Sequence, residues 1–329
     1  MSSISVVIPV YNAAQTVGAL CDALQPVLDR IADNYEIILV DDGSKDTSAS
    51  VIADLARTHS HVTAIELGRN YGQHNALLCG IRAARMSMIV TMDDDLQHPP
   101  TQIEVLLTAM GDNHDGAYGV PKKEQHGLMR NMASRLTKIA LQGAIGVEAA
   151  RNVSAFRLFR TNLRDAFDDF RSPSVSIDVL LTWATARFTS TRVEHQPRAI
   201  GESNYTLRKL VAHAFNLMTG FSALPLKFAS IVGFGLTLFG IGILAFVLIR
   251  YFTLGTSVPG FAFLASIITI FSGAQLFALG IFGEYLARMH FRTLNRPVYH
   301  VREHQASDLP SDERKAASIV QARSGTNRH

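Results

Sequence analysis

Two runs in the last third of the chain, from Phe228 to Ile249 and from about Phe261 to Phe282, contain no Asp, Glu, Lys or Arg. A helix of about 22 residues is about 33 Å long, enough to cross the hydrocarbon core of a bilayer. The link between them, "RYFTLGTSVPG", is short, so the two runs are expected to form a membrane hairpin, and their glycines suit close helix packing in lipid. A hairpin buried inside a soluble protein is the competing reading, and two runs of this length favour the membrane. Lys227 precedes the first run and Arg288, Arg292 and Arg296 follow the second, whereas the link carries only Arg250, which can snorkel at the far interface. The positive-inside rule then puts both ends of the hairpin in the cytoplasm of an inner or plasma membrane. Just before the hairpin, "YTLRKLVAHAFNLMTGF" is amphipathic with its basic residues near the start, which fits either a helix lying in the membrane interface or an ordinary packed helix.

The rest of the chain is less lipid-like. A hydrophobic share of 47% and a mean hydropathy of +0.14 are high for a wholly soluble protein, and the two runs account for much of that. A net charge of +3 argues against a nucleic-acid binder, although positive residues cluster at 122–138, 198–209 and 288–296. Cys21 and Cys79 offer neither a disulfide framework nor metal-ligand spacing, and read as small buried residues in a reduced compartment. The first strand begins almost at once, without the features of a signal peptide, so the N-terminal part is expected in the cytosol.

From Ile4 to about residue 120, apolar strand-like runs alternate with amphipathic helical ones: "ISVVIPV", a helix near 14–32, "YEIILVDD", a helix near 47–58, "VTAIEL", a helix near 72–85 and "SMIVTMDDD". This predicts βαβ units and a mostly parallel, Rossmann-like sheet. Strands that are apolar throughout fit a sheet covered on both faces, and such sheets bind ligands beyond the carboxyl ends of their strands. Pro9 to Asn12, Asp41 to Ser44 and Asp93 to Gln97 all fall there. Farther on, a basic helix "LMRNMASRLTKIALQGAIG", a strand "SAFRLFR", a helix around 174–186 and a strand "FTSTRVEH" are expected. The polar residues after about 302 read as a disordered tail.

The acidic triplet in "MIVTMDDDLQHPP" needs an explanation, because three adjacent carboxylates repel unless a cation holds them or water screens them. Continued extended backbone would put Asp93, Asp95 and Gln97 on one side, an oxygen-ligand set that suits Mg²⁺ or Mn²⁺ bridging to a diphosphate. A solvated acidic turn is the competing reading. Asp42 can accept hydrogen bonds from a base or ribose, and Tyr11 can pack against a base. Alternatively, Asp41 to Ser44 caps a helix, with Ser44 or Asp46 as the cap. No Gly-rich phosphate loop is present, which leaves a cation to neutralise the diphosphate. In the basic helix, Arg130 and Ser134 are four apart and share a face with Lys138, which suits either a phosphate or an anionic lipid surface.

Taken in order, "SVVIPVYNAAQTV", "EIILVDDGSKDTS", "RNYGQHNALLCGI", "DDDLQHPP" and "GESNYTLRKL", followed by two membrane runs, resemble family 2 glycosyltransferases of the polyprenol-phosphate type. That group includes dolichol-phosphate mannose synthases, bactoprenol glucosyltransferases and undecaprenyl-phosphate aminoarabinose transferases, and "RNYGQHNAL" leans toward the last. The resemblance covers residues 4–300. It implies a GT-A type α/β fold in residues 1–205, an interfacial helix at 206–225, a hairpin at 226–287 and a cytosolic basic segment and tail at 288–329. It also implies inverting transfer of a sugar from a nucleotide-sugar, with UDP preferred, to an undecaprenyl or decaprenyl phosphate. Pro9, Tyr11, Asp42 and Asp94 would serve the donor, Asp93, Asp95 and Gln97 the metal, and Arg130, Ser134, Lys138 and Arg198 the acceptor phosphate. Catalysis would rest on Asp93, Asp95 and Arg130. Relatives of this build also admit a tetramer.

Two departures from the family's pattern bear on mechanism. Asn204 stands where relatives commonly have lysine, so a positive contact to the phosphate is either missing or supplied by Arg198, Arg208 or Lys209. "RNVSAFRLFR" lacks the aspartate proposed as a base in many relatives; a phosphate monoester that is mostly dianionic at neutral pH can attack without one. Two rival readings are a processive polysaccharide synthase and an inactive membrane scaffold. No Q-x-x-R-W motif is present and the single tryptophan, Trp183, lies in "LLTWATARF", which argues against the first; the intact Asp42, Asp93 and Asp95 argue against the second.

Overall fold

The structure is a computed structural model that describes residues 2–121, 153–172, 175–196, 224–254, 260–294 and 296–306. Four strands and three helices form as the periodicity predicts: β1 (Ser2–Val10), α1 (Val17–Ile31), β2 (Ala32–Asp41), α2 (Ser48–Thr58), β3 (Val62–Leu67), α3 (Gln73–Ala83) and β4 (Met88–Thr91); a fourth helix that the periodicity did not predict, α4 (Gln102–Met110), follows. After them come β5 (Gly116–Pro121), β6 (Arg157–Arg160), a 3-10 segment (Thr161–Phe167), α5 (Ile177–Ala184) and β7 (Phe188–Val193). The strands form one mixed sheet of order β7-β5-β6-β4-β1-β2-β3-β8, where β8 is Val301–Ala306. Its centre, β4-β1-β2-β3, is parallel, while β6 pairs antiparallel with β4, and β8 with β3.

The continuous apolar strands are explained by cover on both faces. In β1, Ile4, Val6, Ile8 and Val10 share a core with Leu20, Leu24 and Leu28 of α1 and Ile103 and Leu106 of α4. Val7, one residue out of phase, joins the opposite core with Leu77 and Ile81 of α3 and Leu180 of α5. On that second face α3 lies so close to the sheet that a Cβ on Gly80 would meet Val7 Cγ1 at 2.4 Å and Val40 Cγ2 at 3.1 Å. Cys21 and Cys79 are both buried, and burial pushes both thiols up to about 12, so neither is a thiolate at neutral pH.

Two of the sequence expectations change. Residues 303–306, expected in a disordered tail, belong instead to "VREHQA", the edge strand β8, with Thr63 opposite Ala306 and Leu67 opposite Val301. An edge strand takes its place from backbone pairing and does not need an apolar run, which is why composition misread it. The period of two through Asp93, Asp95 and Gln97 also fails, because β4 ends at Thr91, a turn follows, and Leu96 adopts φ 58°.

The apolar runs form α6 (Leu224–Leu254) and α7 (Phe261–Thr293), both longer than the expected spans. Pro225–Arg250 and Ile270–Thr293 are long and apolar enough to cross a membrane, and neither is buried against the rest of the protein. The expected interfacial helix at 206–225 lies outside the described residues, except that Leu224 and Pro225 already belong to α6.

Candidate active site

In the parallel centre of the sheet the chain runs β1, β2, β3 in one direction and then returns to the other side of β1 as β4. The loops leaving β1 and β4 therefore diverge, and a crevice opens between them at the carboxyl edge. Tyr11 and Asn12 leave β1 on one side of it, and Asp93 to Asp95 leave β4 on the other. The Tyr11 N–H donates across the gap to Asp94 Oδ2 at 3.2 Å. Tyr11 is 40% exposed and so presents its ring at this edge. Pro9 lies farther back, buried within β1 opposite Val40. Val7 O accepts from Met92 N on the β4 side, so a proline two residues on faces that side just where β4 has stopped pairing and costs no ladder bond.

The β1 exit is braced against the β2 exit. Asn12 has φ 54°, a left-handed conformation that asparagine tolerates better than most residues. Its N–H donates to Ser44 Oγ at 3.0 Å, and its side-chain Oδ1 accepts from Lys45 N at 2.8 Å. Asp41 Oδ2 accepts from Ser44 N at 3.0 Å, while its buried Oδ1 has no hydrogen-bond partner. Asp46 accepts from Ser48 N at 3.0 Å and so satisfies a donor in the first turn of α2, but the cap position itself is Thr47, which makes no side-chain capping bond, so neither Ser44 nor Asp46 is the cap.

Asp42 is buried, and its two oxygens accept the N–H groups of Tyr71 at 2.7 Å and Gly72 at 2.8 Å. Burial raises its carboxyl above the ordinary aspartate range, and these two bonds partly offset that. Asp42 thus fixes the loop 68–72 that leads into α3. Gly43 sits against the same loop: at φ 66°, a Cβ there would lie 2.5 Å from Arg69 C and Asn70 N, so the turn requires glycine. At the far end of this loop, Gln73 Nε2 donates to Asp93 Oδ1 at 2.6 Å.

The three carboxylates of the acidic triplet therefore engage three different elements. Asp93 meets Gln73 at the start of α3, Asp94 meets the β1 exit, and Asp95, which is buried, accepts from Gln97 N within its own turn at 3.1 Å. Gln97 also joins this loop to the segment after β7: its carbonyl accepts Gln196 N at 2.8 Å, and its Nε2 donates to Gln196 O at 3.4 Å. His98 stacks on Phe156 at 4.9 Å and meets His195 edge-on. Among the described residues, no three His, Cys, Asp or Glu side chains gather as a metal site. Arg130, Ser134, Lys138 and Arg198, expected at the acceptor phosphate, lie outside the described residues.

Sequence reasoning missed a buried ion pair beneath this edge. Arg157, opposite Thr91 in the sheet, pairs with Asp178 in the first turn of α5, and both are buried. Burial pushes the Asp178 carboxyl up and the Arg157 guanidinium opposes that shift. A signal was present: "AFRLFR" and "SIDVLL" each carry a charge inside an apolar run, and a charge buried in a core requires an opposite partner. Gln73 and His195 were missed because nothing local distinguishes them.

An open α/β sheet with a carboxylate-lined crevice at the turning point of its strand order is the architecture of enzymes that bind nucleotides at that edge. Residues 5–167 match the family model "Glycosyl transferase family 2". The chain is 35% identical over 303 residues to the undecaprenyl-phosphate 4-deoxy-4-formamido-L-arabinose transferase of Shewanella sediminis (strain HAW-EB3), across 91% of this chain and 92% of that one. It is 34% identical over 304 residues to the transferase of the same name from Pseudomonas fluorescens (strain SBW25), across 91% of this chain and 89% of that one. The chain belongs to glycosyl transferase family 2, and the lean of "RNYGQHNAL" toward the aminoarabinose transferases is borne out by these relatives. Among solved structures it is similar to a glucosyl-3-phosphoglycerate synthase from Mycobacterium tuberculosis in complex with phosphoglyceric acid, with a TM-score of 0.48 and 19% identity over 66% of this chain and 78% of that one. The family assignment rests on the sequence matches.

Proposed function

We propose that this protein transfers a sugar from a nucleotide-sugar to a polyprenyl phosphate at the cytoplasmic face of a membrane. The observation that carries the reading is the convergence on one sheet edge of the Tyr11 ring, the Asp93–Asp95 turn and the chain returning from α7, which enters β8 at Val301 opposite the last residue of β3. An enzyme that joins a soluble donor to a lipid acceptor needs its donor crevice beside its membrane attachment. The names of the relatives, which act on undecaprenyl phosphate, support the acceptor class.

On this reading the nucleoside packs on Tyr11, and the exits of β1 and β2 line its pocket. Asp93, Asp95 and the Gln97 amide are oxygen donors of the kind a hard divalent cation prefers, and with so few protein ligands the donor's own phosphates would complete the shell. When bound, Mg²⁺ or Mn²⁺ would neutralise charge on the departing nucleoside diphosphate. A phosphate oxygen of the acceptor forms the new bond to the anomeric carbon from the face opposite the leaving group, the bond to the nucleoside diphosphate breaks, and configuration inverts. A dianionic phosphate has no proton to lose in that step, so the absence of an aspartate before "FRLFR" is no obstacle. Arg130, Ser134, Lys138 and Arg198 are assigned to the acceptor phosphate by their charge and hydroxyl chemistry, and UDP is the preferred nucleotide.

The test is purified protein in nanodiscs with undecaprenyl phosphate, Mn²⁺ and a panel of UDP-linked sugars. Equimolar release of UDP and formation of a polyprenyl-phosphate-sugar is the expected result. Donor hydrolysis without a lipid product, or no turnover with any nucleotide-sugar, would overturn the reading.

A further inference from the structure

The helical hairpin and the α/β sheet are joined by more than a leash. α7 ends at Thr293 and β8 begins at Val301, but the chain is seated in the α/β region before β8 starts. Val298 is 8% exposed and belongs to the core beneath α3. The Tyr299 ring lies under the Arg82 guanidinium, 5.9 Å from its centre. His300 O accepts from Gly68 N at 2.8 Å, directly after β3. β8 then pairs along β3, with Arg302 reaching Glu66 at 3.0 Å. From Thr293 to Val298 is five Cα steps, which at 3.80 Å each reach at most about 19 Å.

The direction of entry carries the argument. Val301 faces Leu67, at the carboxyl end of β3, and Ala306 faces Thr63 nearer its start. The chain coming from α7 therefore meets the sheet at the edge that holds Asp42 and Asp93, not at the opposite one. We propose that Val298–Ala306 is a rigid tether that sets the height and orientation of this edge over the bilayer, and that transfer to a lipid-borne acceptor depends on it while donor binding does not. The inference rests on the reading of the acceptor as a polyprenyl phosphate. That phosphate is confined to the headgroup layer, so an edge held at a fixed height meets it at high effective concentration. An edge on a flexible leash would spend most of its time turned away or too far off.

The test inserts about twelve Gly and Ser residues after Leu294, which lengthens the connection while leaving Val298 and β8 intact. Full-length wild type and insertion variant are compared in nanodiscs for transfer to undecaprenyl phosphate and for UDP affinity by calorimetry. Both are also compared in detergent with a short, water-soluble prenyl phosphate. The expected result is a fall of about ten- to hundredfold in kcat/KM for the bilayer acceptor, with UDP affinity, transfer to the soluble acceptor and thermal stability unchanged. Unchanged transfer to the bilayer acceptor overturns the tether and leaves the proposed function standing. An equal loss with the soluble acceptor, or of UDP affinity, also overturns it, because the segment would then only support the fold. Failure of wild type to use either prenyl phosphate overturns the proposed function and the tether with it.

Discussion

The sheet region and the helical hairpin are built from the same residue types and use them in opposite ways. Leu24 in α1 is 0% exposed between helix and sheet, whereas Leu238 in α6 is 54% exposed and Phe252 is 80% exposed. In the first region apolar side chains turn toward one another and the strands between them are fixed to a register. In the second many of them are exposed, on helices long and apolar enough to cross a membrane. The difference separates two duties. A tightly packed sheet can hold carboxylates to within a hydrogen bond of their partners, and an exposed apolar hairpin can hold only position.

That separation is tested most severely by Asp95→Asn. Asp95 is in the sheet region's crevice, and removing its charge should lower transfer by on the order of a thousandfold, equivalent to about 4 kcal/mol of barrier. Folding and membrane insertion should be unchanged by melting and fractionation. Wild-type rates in this variant, or full activity in excess EDTA, would remove the acidic turn from the chemistry and leave the contrast between the regions as one of packing only.

A matched pair of truncations examines the packing itself. Leu24→Ala empties a site enclosed by β1 and α1 and should cost about 2–5 kcal/mol of stability. Leu238→Ala trims a side chain that is 54% exposed and should shift the melting point in detergent far less. Equal losses at the two positions would mean that the hairpin is covered by something other than lipid, a second copy of the chain being the first suspect.

The same contrast explains what could be read from sequence. The central strands and both long helices were legible because each is an uninterrupted apolar run, and such a run is visible in one dimension. β8 was not legible, since an edge strand such as "VREHQA" needs only backbone groups opposite β3. At the site, the acidic turn and the β1 and β2 exits could be placed on one edge because they follow strands. Their side-chain directions could not: the sharp turn at Leu96 breaks the alternation, and Gln73 reaches Asp93 from another element. Arg157 and Asp178 are 21 residues apart in sequence and meet only once α5 has packed on the sheet.

Acid should also distinguish the two regions. Burial, reinforced by His195 and opposed by Asp95, lowers the His98 imidazole from 6.5 to about 4. Between those values the unfolded chain binds a proton that the folded chain does not. Stability should therefore fall as pH drops from about 6.5 to 4 and level off below, by roughly 3 kcal/mol. His98→Asn should flatten that slope relative to wild type in pH-resolved melts of the sheet region. An unchanged slope would assign the acid sensitivity to other groups.

The smallest effect is expected at the seam where the two regions join. Arg302 and Glu66 are 3.0 Å apart, but the Arg302 side chain is 71% exposed, so water and salt screen the pair. Arg302→Ala should cost about 0–1 kcal/mol, and raising the salt should have a similarly slight effect on the wild type. The attachment of β8 rests instead on its backbone ladder with β3 and on Val298 in the core, neither of which this substitution touches. Melting curves of wild type and Arg302→Ala at low and high salt would check this. A loss above about 2 kcal/mol at low salt that disappears at high salt, where the wild type itself is weakened, would show that the seam depends on that charge and not on the ladder. The tether would then be an electrostatic clasp that ionic conditions at the membrane surface could open, and a fixed height for the crevice would no longer follow from the fold.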